Sequence, residues 1–203
     1  MRSGILGERW VILAILLCAP EPWSSPMAAE QRLVIKPVAE RKLEQLPAGP
    51  LYWSLETFAT RAQAEAAAGP TSLVAEIAGK AWLFTLGAKD SKGAGGNPVV
   101  QIGPIPPIVA PEYLLRINHA SGPPGAKTGV HSHPGSEAFY VLAGRLGQKT
   151  PSGVGYAEAG QAMNGHGADV PMEVFSSGVA NLDQLVMFVV DATRPFSTPA
   201  RLE

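Results

Sequence analysis

The sequence predicts an all-β (mainly β) fold, a sandwich or barrel of short strands carrying one short α-helix. Three observations point there. The chain holds 22 glycines and 19 prolines among 203 residues, about a fifth of its length and with no collagen-like period, so turns are frequent. Apolar and aromatic segments of roughly four to eight residues recur between Gly/Pro breaks, which is the spacing of a strand series. A single segment, 60–68, changes to an alanine-rich helical composition. Apolar residues make up 46% and charged ones 16%, which argues against disorder and leaves enough to bury a core. With 16 Lys plus Arg against 17 Asp plus Glu, spread without a basic block, the net charge of −1 offers no footprint for nucleic acid. No internal repeat is visible, which disfavours solenoids and propellers.

Taken in order, residues 1–29 read as a secretory signal. Arg2 and Arg9 precede the unbroken apolar run WVILAILLCA at 10–19, Pro20 breaks it, and the small residues Ala28 and Ala29 follow. Spanning a bilayer takes about 20 apolar residues, so this run predicts export to the periplasm or medium with no stable membrane anchor after cleavage. Cys18, the only cysteine, lies inside the run. A mature chain starting near Glu30 therefore lacks thiols, which excludes disulfides and thiolate metal ligands.

Residues 30–109 are expected to form a helix-and-strand extension. Its first part, to Pro50, is mixed and charged, with Leu33, Val34 and Ile35 suggesting at most one short strand in an extended arm. Residues 51–58 (LYWSLETF) suit a strand. Thr60 and Gln63 then make a capping pattern, alanines fill the interior, and Gly69-Pro70 stops the helix, whose role is to lay an alanine face on a sheet. Residues 72–77 and 81–86 around Gly79-Lys80 read as a hairpin. The glycines of loop 87–97 lack the Lys-Ser/Thr ending of a phosphate cradle, so the loop is a connector. Further strands are expected at 99–102, 113–118, 137–143, 172–176 and 185–191, the last four forming with their turns a barrel over 110–195 before a tail at 196–203.

The chemistry concentrates in 125–144, GAKTGVHSHPGSEAFYVLAG. His131 and His133 are two apart, so on an extended strand both imidazoles leave the same face. Pro134-Gly135 turns the chain, and Glu137 opens the next strand, sharing a face with Phe139, Val141 and Ala143, while Tyr140 points away into core or interface. Two imidazoles and one carboxylate with open positions opposite suit non-haem Fe(II), the favoured divalent transition metal here; Mn, Ni, Zn or Cu could also be held.

This run, Gly125, five residues, His131-x-His133, three residues, Glu137, six residues, Gly144, resembles the first conserved motif of the cupin superfamily. The resemblance covers about 85 residues, from 110 to 195. It implies a cupin-type double-stranded β-helix, a small jelly-roll barrel with the metal inside on His131, His133 and Glu137. The family's second motif supplies a third histidine, and here the matching stretch, 160–178, departs from it. Anchored on Pro171 and Gly178, it puts Met172 where that histidine belongs, Ser176 in place of Asn, and Gly167 and Asp169 at the Pro and Gly positions.

Three readings of Met172 stay open. Its thioether is a soft ligand that suits Cu(I); as packing it leaves a three-ligand centre with room for substrate, compatible with oxygenase-type chemistry; or it marks a site that no longer holds metal and binds a small molecule instead. His166, between two glycines, and His119 read as solvated loop histidines rather than ligands. The leading functional expectation is an exported, metal-dependent, dioxygenase-like oxidoreductase acting on a small organic substrate held in the barrel, with Glu137 doubling as catalytic base. The alternative is a non-catalytic small-molecule-binding cupin. A third class is a structural homodimer, with 30–109 wrapping the barrel or a partner.

Overall fold

The computed structural model describes residues 31–202, together with Met1. The expected secretory signal, including Cys18, otherwise falls outside the described residues. No helix among the described residues is long and apolar enough to cross a membrane.

The strands run in the order β1 (Val34–Leu43), β2 (Tyr52–Phe58), β3 (Ser72–Ile77), β4 (Lys80–Gly87), β5 (Asn97–Ile102), β6 (Tyr113–Gly122) and β7 (His131–Ser132). They continue as β8 (Gly135–Ala143), β9 (Arg145–Thr150), β10 (Gly153–Glu158), β11 (Ala162–Asn164), β12 (Glu173–Ser176), β13 (Leu182–Asp191) and β14 (Thr198–Pro199). Helix α1 (Arg61–Ala67) is capped as its sequence suggests, Thr60 Oγ1 accepting from the Gln63 amide at 3.2 Å. The strands pair into a five-stranded sheet, β1-β6-β13-β8-β11, a three-stranded sheet, β10-β9-β12, a two-stranded ribbon, β14-β7, and a four-stranded sheet, β3-β4-β2-β5.

The five-stranded sheet is buried on both faces. Leu115, Ile117, Leu185, Met187 and Val189 meet Trp53, Leu55, Phe84 and Leu86 of the four-stranded sheet. Ala120, Phe139, Val141, Val186 and Phe188 instead face Leu146 and Val174 of the three-stranded sheet. That double burial explains why 185–190 (LVMFVV) is continuously apolar instead of alternating. On the far side of the four-stranded sheet, Ala64 of α1 packs with Phe58, Ala81 and Leu83, so the layers run helix, four strands, five strands, three strands.

Two segments differ from the sequence expectation. Instead of a short strand in an arm, β1 runs ten residues antiparallel to β6, with a bulge between Pro37 and Ala39. Its charged composition is that of an edge strand, held by backbone pairing with little apolar burial, and the bulge accommodates the proline. Just before it, residues 31–33 bond to Lys127, which bridges Phe175 of β12. One continuous stretch, 31–43, thus joins the edges of the five- and three-stranded sheets. The second difference is the β9–β10 hairpin, whose residues are largely polar; its Gly147 lies under the Phe175 ring, where a Cβ would come within 2.4 Å of the ring carbons.

Candidate functional site

A cavity of about 530 Å³ lies between the five- and three-stranded sheets. Its floor is the inner face of the five-stranded sheet, with Asn118, Ala120, Gln184, Val186, Phe188, Glu137 and Phe139; His131, His133, Lys127, Thr128 and Val174 line it too, as do Arg32, Ile35 and Phe196. The three residues singled out by the motif therefore share one cavity.

The histidines are placed by backbone pairing. In β7, Ser132 and His131 pair with Thr198 and Pro199 of β14, so the C-terminal segment is drawn alongside. The His131 backbone also exchanges two hydrogen bonds with Met172, at 2.9 and 2.8 Å. His131 Nδ1 lies 2.8 Å from the Gly129 carbonyl and His133 Nδ1 lies 2.6 Å from that of Phe196. A carbonyl only accepts, so each Nδ1 carries the proton, and in a neutral ring Nε2 then keeps a free lone pair. The two rings meet edge-on at 4.9 Å, and His133 packs between Phe188 and Phe196, each at 4.8 Å. Burial, with smaller contributions from nearby His131 and Arg116, pushes the His133 imidazole down to about 4 despite the opposing Phe196 hydrogen bond. It is neutral at pH 7.

Glu137 stands beside Phe188 on β8 and is only 2% exposed. Its Oε1 accepts from Gln148 Nε2 at 2.5 Å, and the same amide lies 3.4 Å from the Met172 sulfur. Gly165 closes over it: a Cβ there would stand 2.5 Å from Glu137 Cγ. Burial pushes the Glu137 carboxyl up to about 8, with the Gln148 hydrogen bond opposing, so the group is a neutral acid at pH 7.

The donor set fits a metal only in part. Two free Nε2 atoms with their Nδ1–H tied to carbonyls are what metal-binding imidazoles need. The third donor is turned away from them, its Oε1 accepting from Gln148. Among the described residues no three His, Cys, Asp or Glu side chains gather to hold an ion. Met172 is 1% exposed and packed in this wall. His119 Nε2 pairs with Asp183 Oδ1 at 2.5 Å, and neither His119 nor His166 lines the cavity. Tyr140 points into the core beside Trp82, 6.1 Å between rings.

Three polar residues of this region were not singled out from the sequence: Asn118, Gln148 and Gln184. Asn118 and Gln184 share the strand parity of Ala120 and Val186, a signal in the sequence, but Gln148 sits in a hairpin that the apolar pattern does not reveal.

Five strands facing three, closed over a cavity that holds the His-x-His and Glu of the motif, make the jelly-roll barrel the sequence predicts. No family model and no curated protein matches the sequence. Similar solved structures include a cupin-like protein from Thermotoga maritima, at 16% identity over 42% of this chain and 64% of that one, TM-score 0.38. A cupin superfamily protein from Desulfitobacterium hafniense matches at 13% identity over 38% of this chain and 68% of that one, TM-score 0.34. A polyketide cyclase from Streptomyces resistomycificus matches at 20% identity over 44% of this chain and 62% of that one, TM-score 0.37. Each match covers less than half of this chain.

Proposed function

We propose that this chain is a small-molecule-binding protein of the cupin type, its ligand held in the barrel between the five- and three-stranded sheets. The observation that carries this is the cavity of about 530 Å³, large enough for a small organic molecule, whose mostly apolar wall holds Glu137, His131 and His133. At neutral pH Glu137 is a hydrogen-bond donor, and the free Nε2 of neutral His133 is an acceptor. A ligand with a carbonyl and a hydroxyl group would satisfy both without bringing charge into the site. Export is part of the proposal and is supported by the sequence of residues 1–29 alone; the mass of the protein recovered after expression with its leader reads it directly.

A second reading is favoured by the two imidazoles whose Nδ1 atoms are held by carbonyls. In it, His131 and His133 hold a divalent transition metal, Fe(II) or one of Mn, Ni, Zn and Cu, and Glu137 leaves Gln148 and ionises to join them. The metal would supply Lewis-acid or redox chemistry. Metal analysis after growth with each metal, on wild type and His131→Ala, separates the readings. Near-stoichiometric metal that the substitution removes establishes the second. Equal trace metal in both proteins, with a small molecule bound in the cavity, establishes the first.

A further inference from the structure

Asn118 on β6 stands opposite Val186, and Gln184 on β13 stands opposite Ala120, so the two amides are diagonal neighbours on the cavity face. Both line the cavity and are 5% and 1% exposed. Yet Asn118 Oδ1 and Gln184 Oε1 are buried with no hydrogen-bond partner. Their neighbours Ala120, Val186 and Phe188 are apolar, and an apolar side chain at either position would avoid the cost of a buried, unpaired amide. A fold that keeps such groups breaks its own packing rule at that spot, which is where a ligand is expected. The strand pairing is irregular there as well, since the β13–β8 register shifts between Asp183 and Gln184. Bulges of this kind re-aim side chains beside functional sites.

The chemistry of the floor narrows the ligand. Each primary amide donates through its NH2 and accepts through its oxygen, so the pair complements groups that do both, as hydroxyls do. Arg32 and Lys127, the cations that line the cavity, come from the segment before β1 and the β6–β7 connection, and Arg116, on the floor face of β6 two residues from Asn118, is paired with Glu40 and stacked on Phe196. An anion seated on the amides would therefore have to draw Arg116 away from Glu40 or be desolvated without a counterion beside it. We infer that Asn118 and Gln184 form a recognition subsite for an uncharged ligand with two adjoining hydroxyl groups, its apolar side lying on Val186 and Phe188. This rests on the proposal that the barrel binds a small molecule.

The test uses the full chain and three probes, cyclohexane-1,2-diol, cyclohexanol and cyclohexanecarboxylate, titrated by ligand-observed NMR, with thermal unfolding of each ligand-free protein alongside. The diol is expected to bind roughly fivefold to tenfold tighter than the other two, the worth of one more neutral hydrogen bond. Asn118→Leu and Gln184→Met should each bring diol affinity down to that of cyclohexanol while raising the unfolding temperature, whereas a purely structural role for the amides predicts a lower one. Asn118→Val serves if the leucine variant does not fold. Variants that bind the diol as wild type does, or that unfold at lower temperature, overturn the subsite and leave the cavity proposal standing. Val186→Trp, which fills the cavity, should abolish binding of all three probes; binding that survives it overturns the cavity proposal itself.

Discussion

Replacing Glu137 by glutamine should stabilise the protein above neutral pH, and the size of the effect follows from the burial of that carboxyl. In the unfolded chain the group titrates near 4.5, in the fold at about 8. Its folded pKa is raised, so its stabilising contribution is complete below 4.5 and is lost as pH rises through about 8. At about 1.4 kcal/mol per unit, the loss reaches about 4 to 5 kcal/mol at the upper end. His133 works in the opposite sense: its folded value of about 4 lies below the unfolded 6.5, so its contribution is present above 6.5 and is lost as pH falls towards 4, by about 3 kcal/mol in all. Between 4.5 and 6.5 the two slopes cancel, and the wild type should show a plateau there, falling on both sides. Glu137→Gln keeps an acceptor for Gln148 and removes one slope. The variant should match wild type within about 1 kcal/mol at pH 4.5, gain stability up to pH 6.5, stay level beyond it, and exceed wild type by about 4 kcal/mol at pH 8. Urea unfolding in chelator-treated buffer, followed through the buried Trp53 and Trp82, measures this. Parallel pH curves for the two proteins, or a variant weaker at pH 8, would refute the neutral-acid assignment and mean that Glu137 is ionised in the fold.

Three further outcomes follow from the packing. Gly135→Ala would put a Cβ 2.1 Å from the Val189 carbonyl oxygen and 2.6 Å from Val190 Cα, both backbone atoms of β13, so urea unfolding should show a loss of about 3 kcal/mol or no folded protein. Leu185→Ala empties a fully buried position between the five- and four-stranded sheets and should cost about 2 to 5 kcal/mol by the same assay, leaving the cavity's probe affinities unchanged. Met172→His sets an imidazole in the wall that holds His131 and Gln148; metal analysis after loading should then find stoichiometric divalent metal where wild type has less, and equal trace metal in both would count against the histidine pair as a metal anchor.

Much of the fold was legible because the strands that make its core carry their signal locally. Residues 72–77 and the capped alanine helix emerge as the pattern suggests, since turn residues and periodicity mark both ends of each. Strand β1 was less legible because what holds it is the backbone of β6, and its side chains, Lys36, Glu40, Arg41 and Lys42 among them, read as solvent-facing. The β9–β10 hairpin hides for the opposite reason: Gly147 is small to admit Phe175, and a missing side chain leaves no apolar signal.

At the site, strand parity was enough to bring His131, His133 and Glu137 to one cavity, because residues two apart on a strand must share a face whatever surrounds them. Parity says nothing about charge. Whether Glu137 is an anion or an acid depends on what surrounds it: burial is the larger cause, and the Gln148 amide, 11 positions further along and in contact with Met172, opposes it. An imidazole at 172 would add a third nitrogen to the histidine pair and draw in a cation, whose field would hold the carboxyl ionised against the cost of burial. With no cation beside it, Gln148 offers only a neutral hydrogen bond and desolvation prevails. Met172→His should therefore not only raise metal content but also, when metal-loaded, abolish the stability advantage of Glu137→Gln at pH 8, and the double variant measured with and without chelator tests that coupling directly.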